Sequence, residues 1–308
     1  MIVGCGDVGL RAARALGGGV GPRARLLALT SSPDRTPALR RHGLTPLLGN
    51  LDIPASLRRL SGIATRVVHL APPPGEGQVQ WWRDPRTQAL LRALRLRTAP
   101  ASLVYGSTSG VYGDCAGDLV NEVRATRAST PRAQRRVDAE TLVRHFGRGG
   151  VRSSILRIPG IYAPDREGGT PRARLLKGTP VLAAADDVFT NHIHADDLAR
   201  ACVAALWRGQ PQRIYNVNDD TALRMGDYFD LAADLYGLPR PPRLARDVAN
   251  DQMPLGLLSF MGESRRMDNT RLKQELRVHL EYPTVATGLL SKEKLYALMG
   301  FALEADFS

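Results

Sequence analysis

The sequence predicts an α/β fold in which a doubly wound parallel sheet is joined to a smaller mixed C-terminal part. Short apolar runs alternate with longer helical patterns through the first half of the chain, as in βαβ units. A glycine-rich turn follows the first of these runs. The length of 308 residues suffices for a buried core. We expect a sheet domain over residues 1–160 and a smaller part over residues 161–308, with some later segments returning to the sheet.

The predicted strands are short and apolar, and several predicted helices begin with a proline near the first turn. The strands are expected at residues 1–3, 26–30, 45–48, 67–71, 103–107, 154–159 and 214–217. The helices are expected at residues 8–16, 37–42, 54–61, 85–97, 131–146, 195–208 and 224–236. Only three residues precede Gly4, so either the first strand is short or the true start of the protein lies before Met1.

Arginine supplies nearly all of the basic residues. The chain has 42 Lys+Arg against 30 Asp+Glu, a formal net charge of +12, and none of its lysines precedes Lys177. The arginines are scattered rather than clustered in a tail, and aromatic residues make up only 6% of the chain. This distribution predicts a solvated arginine-rich surface and no nucleic-acid partner.

Three cysteines lie far apart in the sequence, at positions 5, 115 and 202, and no Cys or His has metal-ligand spacing. We therefore expect reduced thiols and no metal site. No apolar stretch approaches the ~18 residues of a membrane span, and the N-terminus lacks an export signal. These features predict a cytoplasmic protein without a membrane partner.

The glycine-rich turn has the pattern G-x-G-x-x-G and comprises Gly4, Cys5, Gly6, Asp7, Val8 and Gly9. It follows an apolar strand and begins a helix, which is where this pattern binds a dinucleotide. The first glycine permits the turn, the second admits the pyrophosphate, and the third allows helix and strand to pack closely. We therefore predict that residues 1–160 form a dinucleotide-binding Rossmann domain.

The end of the second predicted strand bears on the choice between NAD and NADP. An acidic residue there would bind the ribose 2′-hydroxyl of NAD. The strand is followed instead by Ser31 and Ser32, with Arg35 shortly after. Hydroxyl groups and an arginine suit a 2′-phosphate, so we predict NADP, with NAD as the alternative if these residues form only a polar turn and helix cap.

Five motifs in order resemble the extended short-chain dehydrogenase/reductase superfamily, in its NAD-dependent epimerase/dehydratase group. Within it the chain is similar to an atypical branch of NAD(P)-binding, oxidoreductase-like proteins. The motifs are Gly4 to Gly9, Asn50-Leu51-Asp52, Ser107-Thr108-Ser109-Gly110-Val111-Tyr112-Gly113-Asp114, Leu156-Arg157-Ile158-Pro159-Gly160-Ile161-Tyr162 and Asn191-His192-Ile193-His194-Ala195-Asp196-Asp197-Leu198.

The resemblance implies roles for individual residues. It places the hydroxyl that binds the reacting oxygen of the substrate on Thr108, and a carboxylate beside the adenine on Asp52. It implies further cofactor contacts at Leu70, Ala71, Pro72, Ser107, Arg136, Pro159, Gly160 and Ile161. It implies substrate contacts at Thr108, Ser109, Tyr112, Tyr162 and Asn191.

The chain departs from this family at the acid/base pair. The family has Tyr-x-x-x-Lys, followed four residues later by Glu, and alignment on Glu140 puts Arg136 at the Lys position and Arg132 at the Tyr position. Arg136 could still supply a positive charge, but an arginine with a pKa above 12 cannot exchange a proton. Proton transfer would then need Tyr112, Tyr162, His192 or Thr108 acting through water. We assign Thr108, Tyr112 and Arg136 as the candidate catalytic residues.

Two functions follow as hypotheses. The first is an NADP-dependent oxidoreductase of epimerase/dehydratase type that acts on a small polar substrate, sugar-like or nucleotide-linked. The second is a cofactor-binding redox sensor or regulator without turnover, which the missing pair favours. The resemblance also implies a homodimer formed through the helix at 131–146, whose arginines would need Asp138 and Glu140 as acidic partners across the contact.

Overall fold

Seven parallel strands form one sheet at the centre of the molecule. The computed structural model describes residues 1–18, 25–75, 77, 79–254, 258 and 261–290. In spatial order the strands are β12 (Arg213–Asn216), β7 (Arg152–Ile158), β5 (Ser102–Thr108), β4 (Arg66–His69), β1 (Ile2–Val3), β2 (Leu27–Thr30) and β3 (Thr45–Leu48). The strand order reverses between β1 and β4, and ligands of doubly wound folds bind at such a switch point.

Helices cover both faces of this sheet. Apolar side chains of the central strands are buried on both sides, which explains why they read as continuous apolar runs. The helices α3 and α4 pack on one face, and α6 packs on the other beside α1. Their bounds are α1 (Asp7–Gly17), α2 (Thr36–Arg41), α3 (Pro85–Arg95), α4 (Pro131–Gly147) and α6 (Ala195–Arg208).

A smaller part lies beyond β7 and has its own buried cluster, which includes Tyr162, Val181, Phe229 and Met253. Its helices are α5 (Arg172–Leu176), α7 (Met225–Tyr236) and α8 (Arg246–Gln252), and two short helices follow at Thr270–Gln274 and Val285–Gly288. Two-stranded pairs join β10 (Phe189–Thr190) to β13 (Leu223–Arg224), β11 (His192–His194) to β8 (Gly160–Tyr162), β14 (Arg243–Leu244) to β9 (Val181–Leu182) and β15 (Arg266–Met267) to β6 (Leu119–Val120).

The structure confirms the predicted α/β fold with its doubly wound parallel sheet. The observed sheet strands start or end within two residues of the predicted ones. One prediction was wrong in type, because Pro54–Leu60 forms a 3₁₀-helix rather than an α-helix. The boundary at residue 160 stays a prediction. Strand β12 lies beyond it in the chain and joins the sheet, while residues 291–308 lie outside the described part.

Across the described residues, no helix is both long and apolar enough to span a lipid bilayer. The three cysteines are buried and unpaired with one another. Burial raises the pKa of the Cys5 thiol to about 11, so this group in the glycine-rich turn is a neutral packing residue near pH 7.

A buried ion pair fastens α4 to the sheet. The Arg157 side chain on β7 donates from Nε to Glu140 Oε1 (3.1 Å) and from Nη2 to Glu140 Oε2 (2.8 Å). Ser107 on β5 donates its hydroxyl to the same carboxylate at 2.7 Å. Both charged side chains are at least 97% buried, so each depends on the other for compensation of its charge. The pair therefore fixes the rotation of α4 relative to β5 and β7.

Glu140→Gln should destabilise the protein by about 3–5 kcal/mol, because it leaves the Arg157 guanidinium buried without a counter-charge. Urea unfolding followed by circular dichroism measures the change. The matched control is Asp234→Asn, which breaks an exposed pair with Arg240 and should leave the urea midpoint unchanged. Equal effects of the two substitutions would contradict the role assigned to the buried pair.

Candidate functional site

The predicted glycine-rich turn lies between β1 and α1, at the switch point of the sheet. Gly4 has φ +84°. A Cβ built on Gly4 would overlap the backbone of Leu70 and Ala71, just after the end of β4, so this position requires glycine. A Cβ on Gly9 would lie 3.0 Å from Gly4 O, which limits that position to glycine as well. Apart from the adjoining Cys5 and Asp7, no atom of the described residues lies within 4 Å of a Cβ built on Gly6. The backbone at Gly6 is therefore open to the approach of a ligand, and the N-terminus of α1 begins there.

A cavity of about 250 Å³ extends from this turn along the carboxyl ends of β4, β5 and β7. It brings together many of the residues that the sequence assigned to cofactor or substrate. The predicted residues that line it are Gly4, Gly6, Asp7, Val8, Gly9, Leu70, Ser107, Thr108, Arg132, Arg136, Pro159 and Ile161. The cavity thus brings the glycine-rich turn together with Thr108 at the end of β5 and Arg136 of α4.

A second cavity of about 490 Å³ is larger, but it lies elsewhere. Its walls are the start of α3 and one side of α4, and it shares no lining residue with the glycine-turn cavity. Neither a glycine-rich turn nor the motif around Thr108 reaches it. We therefore place the candidate site in the smaller cavity.

Thr108 presents its hydroxyl at the end of β5. The Thr108 Oγ1 accepts a hydrogen bond from Gly110 N at 3.3 Å, so its own proton is free to be donated to a ligand. The neighbouring Ser107 differs, because its proton is donated to Glu140. Of these two adjacent hydroxyl groups, Thr108 is the one that can donate a hydrogen bond into the cavity.

Arg136 is held beneath the cavity by neutral groups. Its Nη1 donates to Gly106 O (2.8 Å) and to the Tyr105 hydroxyl (3.0 Å), and the side chain is 91% buried. Arg132 lies one helical turn earlier, lines the same cavity and is exposed. Burial of part of its surface, followed by the charges of Arg136 and Arg135, lowers the pKa of Arg132. The cavity thus has a strongly positive side.

The loop after β8 closes the cavity opposite α4. Arg166 of this loop approaches Asp7 Oδ2 at 3.3 Å and donates to Ile161 O at 2.8 Å. The buried Arg11 binds three carboxylates, those of Asp7, Asp165 and Asp196, at 3.0, 2.7 and 2.6 Å. Arg11 thereby links α1, α6 and the loop around the glycine-rich turn.

Comparison with known proteins gives a family. A sequence model described as the NAD dependent epimerase/dehydratase family matches residues 12–218, which is more than half of the chain. The chain belongs to the NAD dependent epimerase/dehydratase family. Membership makes it an epimerase-like enzyme that uses a nicotinamide cofactor, as the motifs predicted. A search of curated protein sequences gave no significant match.

Solved structures agree with this assignment in fold. A functionally unknown conserved protein from Silicibacter pomeroyi is 28% identical, with 94% of this chain and 95% of that chain covered and a TM-score of 0.76. A nucleoside-diphosphate-sugar epimerase from Pseudomonas aeruginosa is 19% identical, with 98% of both chains covered and a TM-score of 0.76. A dTDP-glucose 4,6-dehydratase from Streptomyces venezuelae, with NAD bound, is 19% identical over 94% of both chains with a TM-score of 0.74.

Tyr112, predicted as a catalytic and substrate residue, does not reach the cavity. Its side chain is fully buried, and its hydroxyl donates to Asn216 Oδ1 at 2.7 Å. Burial, as the main cause, raises the pKa of this phenol. Arg157 lies over its ring, with the guanidinium carbon 4.6 Å from the ring centre. Tyr112 therefore joins β5 to β12, and we correct its assignment from the site to the core.

Tyr162 and Asn191 also have structural partners rather than places in the cavity. The Tyr162 hydroxyl shares its one proton between Asp219 Oδ2 (3.3 Å) and Thr284 O (3.2 Å). Asn191 Nδ2 donates to Arg265 O, and Asn191 Oδ1 accepts from Met267 N. Ser109 is buried, outside the cavity lining, and 3.4 Å from an Arg265 nitrogen. Tyr162 and Asn191 thus bond within the smaller part, and Ser109 lies against it. None of the three lines the cavity, and their roles as substrate contacts stay predictions.

His192, a candidate for proton transfer, does not line the cavity, and neither does His194 of the same motif. The ring of His192 stacks on Tyr228 with centroids 4.2 Å apart, and the ring of His194 stacks on Tyr282 at 3.7 Å. Burial lowers the pKa of His192 to about 4. His194 Nδ1 accepts from Asp196 N, so this histidine caps the N-terminus of α6.

The remaining predicted cofactor residues lie outside the cavity lining, around its rim. Arg35 Nη2 donates to Cys5 O at 2.6 Å, next to the glycine turn, while Ser31 is exposed and Ser32 is half-buried. Asp52 binds Arg86 through two hydrogen bonds of 2.7 Å, which lower the pKa of its carboxyl group. Ala71, Pro72 and Gly160 adjoin lining residues, and their roles stay predictions.

Four lining residues were missed: Gly106, Ile158, Arg166 and Leu198. Ile158 belongs to one of the motifs given above, and Gly106 directly precedes another. Their positions at strand ends could therefore have indicated that they line the cavity. Arg166 follows the last apolar residue of β8 in a loop, and only the tertiary contact with Asp7 reveals it. Leu198 is a buried apolar residue of α6, and its place in the sequence does not distinguish it from other core residues.

The buried Asp219, which accepts a hydrogen bond from Tyr162, should make the stability of the protein depend on pH. Burial raises the pKa of Asp219 to about 7, from an ordinary value of 3.8. The folded state thus favours the protonated form, and this group contributes stability that is present below about pH 4 and lost as the pH rises to about 7. The full difference corresponds to about 4 kcal/mol.

Asp219→Asn should remove this dependence, because the amide stays neutral and can still accept from Thr221 N. Urea unfolding of both proteins from about pH 4 to pH 8 should show the wild type losing stability relative to the variant up to about pH 7. A difference in unfolding free energy that does not change with pH would show that Asp219 is ionised in the folded protein throughout.

Proposed function

We propose that this protein is an NADP-dependent oxidoreductase of epimerase/dehydratase type that acts on a small polar substrate, sugar-like or nucleotide-linked. The observation that carries the proposal is the shared cavity of the glycine-rich turn and the free hydroxyl of Thr108. The first would hold the dinucleotide and the second would bind the reacting oxygen of the substrate. Two structural neighbours are described as acting on sugar nucleotides, which supports the substrate class.

The preference for NADP rests on the end of β2. The strand ends at Thr30 without an acidic residue, and the turn that follows presents the hydroxyl groups of Ser31 and Ser32. Arg35 reaches back to Cys5 O, so its guanidinium lies beside the glycine turn. A 2′-phosphate at the adenine ribose would meet a positive charge and hydroxyl donors there, whereas a free 2′-hydroxyl would lack its carboxylate acceptor.

Individual residues of the cavity would bind the other parts of the cofactor and the substrate. Gly6 and the first turn of α1 would face the pyrophosphate, and Pro159 and Ile161 would line the cavity beside the nicotinamide ring. A bound nicotinamide supplies hydride transfer. Thr108 would donate its hydrogen bond to the reacting oxygen. The proton that this oxygen gains on reduction, or loses on oxidation, would be exchanged with solvent through water, because Arg132 cannot exchange one at neutral pH.

Arg35→Ala should weaken NADPH binding roughly 10- to 100-fold and leave NADH binding nearly unchanged, because the lost contacts are those of one charged group. Titration of cofactor fluorescence measures both affinities. Arg40→Ala is the matched control, since Arg40 is an exposed residue of the nearby α2. Equal wild-type affinities for NADPH and NADH would overturn the preference for NADP.

Turnover is tested by the absorbance of NADPH at ~340 nm in the presence of ketones, aldehydes and nucleotide sugars. At least one compound should oxidise NADPH, and Thr108→Ala should reduce that rate ~100-fold or more with little loss of cofactor affinity. Thr141→Ala, on the exposed side of α4, is the control. Tight binding of NADPH without turnover of any compound would favour the cofactor-binding sensor instead.

We also propose that two copies pair through the face formed by α3 and α4. The structure changes the charge argument for this contact, because Glu140 is buried in its bond with Arg157 and is not available to a partner. Asp138 accepts from Asp84 N within the same chain. Any acidic residue that offsets the arginines of α4 across a dimer must therefore come from another element. Analytical ultracentrifugation should give twice the mass of one chain.

A further inference from the structure

The charge of the glycine-turn cavity is unbalanced. Three arginines line it, Arg132, Arg136 and Arg166, whereas Asp7 is the single lining residue with a carboxylate. Asp7 is already in contact with Arg11 and Arg166. Within the described residues, neither Arg132 nor Arg136 has a carboxylate within 4 Å. Among the described residues, the positive charge on the α4 side of the cavity is therefore not paired with a carboxylate in direct contact.

Arg136 is buried without full compensation. Its Nη1 is bound by two neutral oxygen atoms, and its Nε is buried with no acceptor in the described part of the structure. Two like charges one helical turn apart repel each other, so the arrangement costs free energy when no anion is present. Binding of an anion therefore lowers the free energy of this site more than it would for a pair of solvated arginines.

Arg132 completes the site at the end of the cavity where Thr108 lies. Gly110 lies between the two elements, because a Cβ built on it would be 3.7 Å from both Ala133 Cβ and Thr108 Oγ1. Arg132 is in the first turn of α4, which contains no acidic residue to compete for it. No described residue accepts a hydrogen bond from its guanidinium. Its planar fork of donors suits a carboxylate or a phosphate.

We infer that Arg132, supported by Arg136, binds an oxyanion group of the substrate, a carboxylate or a phosphate, next to the reacting oxygen at Thr108. The inference rests on the proposed function and specifies the substrate class of the same site. The cofactor does not need Arg132 for its pyrophosphate, since the N-terminus of α1 and Arg166 lie at the glycine turn. The partial burial that lowers the pKa of Arg132 also weakens solvent screening of its charge.

The direct test uses the full chain saturated with NADP⁺, so that anions cannot bind at the pyrophosphate position. Malonate and inorganic phosphate are titrated separately by calorimetry at constant ionic strength. We expect at least one of them to bind, and Arg132→Gln to weaken that binding about tenfold or more. Arg132→Lys should retain part of the affinity. Arg92→Gln, an exposed arginine on α3 outside the cavity, is the matched control and should change nothing.

The two probes distinguish a carboxylate from a phosphate on the substrate. Binding of neither anion to the wild type, or equal binding to wild type and Arg132→Gln, overturns the inference. The cofactor titration of the preceding section separates the two proposals: NADPH binding without anion binding refutes only the oxyanion site, and absence of NADPH binding refutes the proposed function itself.

Turnover gives an independent readout once a reducible compound is known. Matched pairs, such as a 2-oxo acid with its amide or a phosphorylated sugar with the free sugar, should differ about tenfold or more in kcat/KM in favour of the anion. Arg132→Gln should reduce this preference chiefly by raising KM for the anionic member. An undiminished preference in the variant would assign the selectivity to another residue and overturn the inference.

Discussion

The buried ion pair between Glu140 and Arg157 determines how the site is built. It joins the middle of α4 to β7, and Ser107 adds β5 to the same carboxylate. With α4 fixed in rotation, the residues one and two turns before Glu140 lie along the same side of the helix. Those residues are Arg136 and Arg132, and both face the cavity at the carboxyl ends of the strands. A loss of the pair would therefore disturb the candidate site as well as the stability.

The sequence allowed much of the fold to be predicted because its signals are local. Alternating apolar runs and helical patterns place strands and helices, and the turn from Gly4 to Gly9 has a backbone requirement that only glycine meets. The predicted site residues that line the cavity are close to such turns or strand ends. Pro54–Leu60 was misassigned because the proline and apolar spacing that start an α-helix also suit a short 3₁₀-helix.

Side-chain roles were harder to predict because they depend on contacts between distant segments. Tyr112 lies four residues after Thr108, yet the 3₁₀-turn between them directs one hydroxyl to the cavity and the other to Asn216. Tyr162 is similarly turned toward Asp219. The grouping of Arg11 with Asp7, Asp165 and Asp196 spans most of the chain, so no local pattern could have indicated it. The family motifs identify these segments without stating which side chain faces the ligand.

The family resemblance implies a lysine where the chain has Arg136, and this difference would affect the charge of the cavity. A lysine beside another cation and partly removed from water responds by lowering its pKa and losing its charge. An arginine guanidinium delocalises its charge and keeps its proton in such surroundings. The cavity thus keeps its positive side at every physiological pH. Permanent charge of this kind is useful where the ligand, rather than the protein, carries the compensating anion.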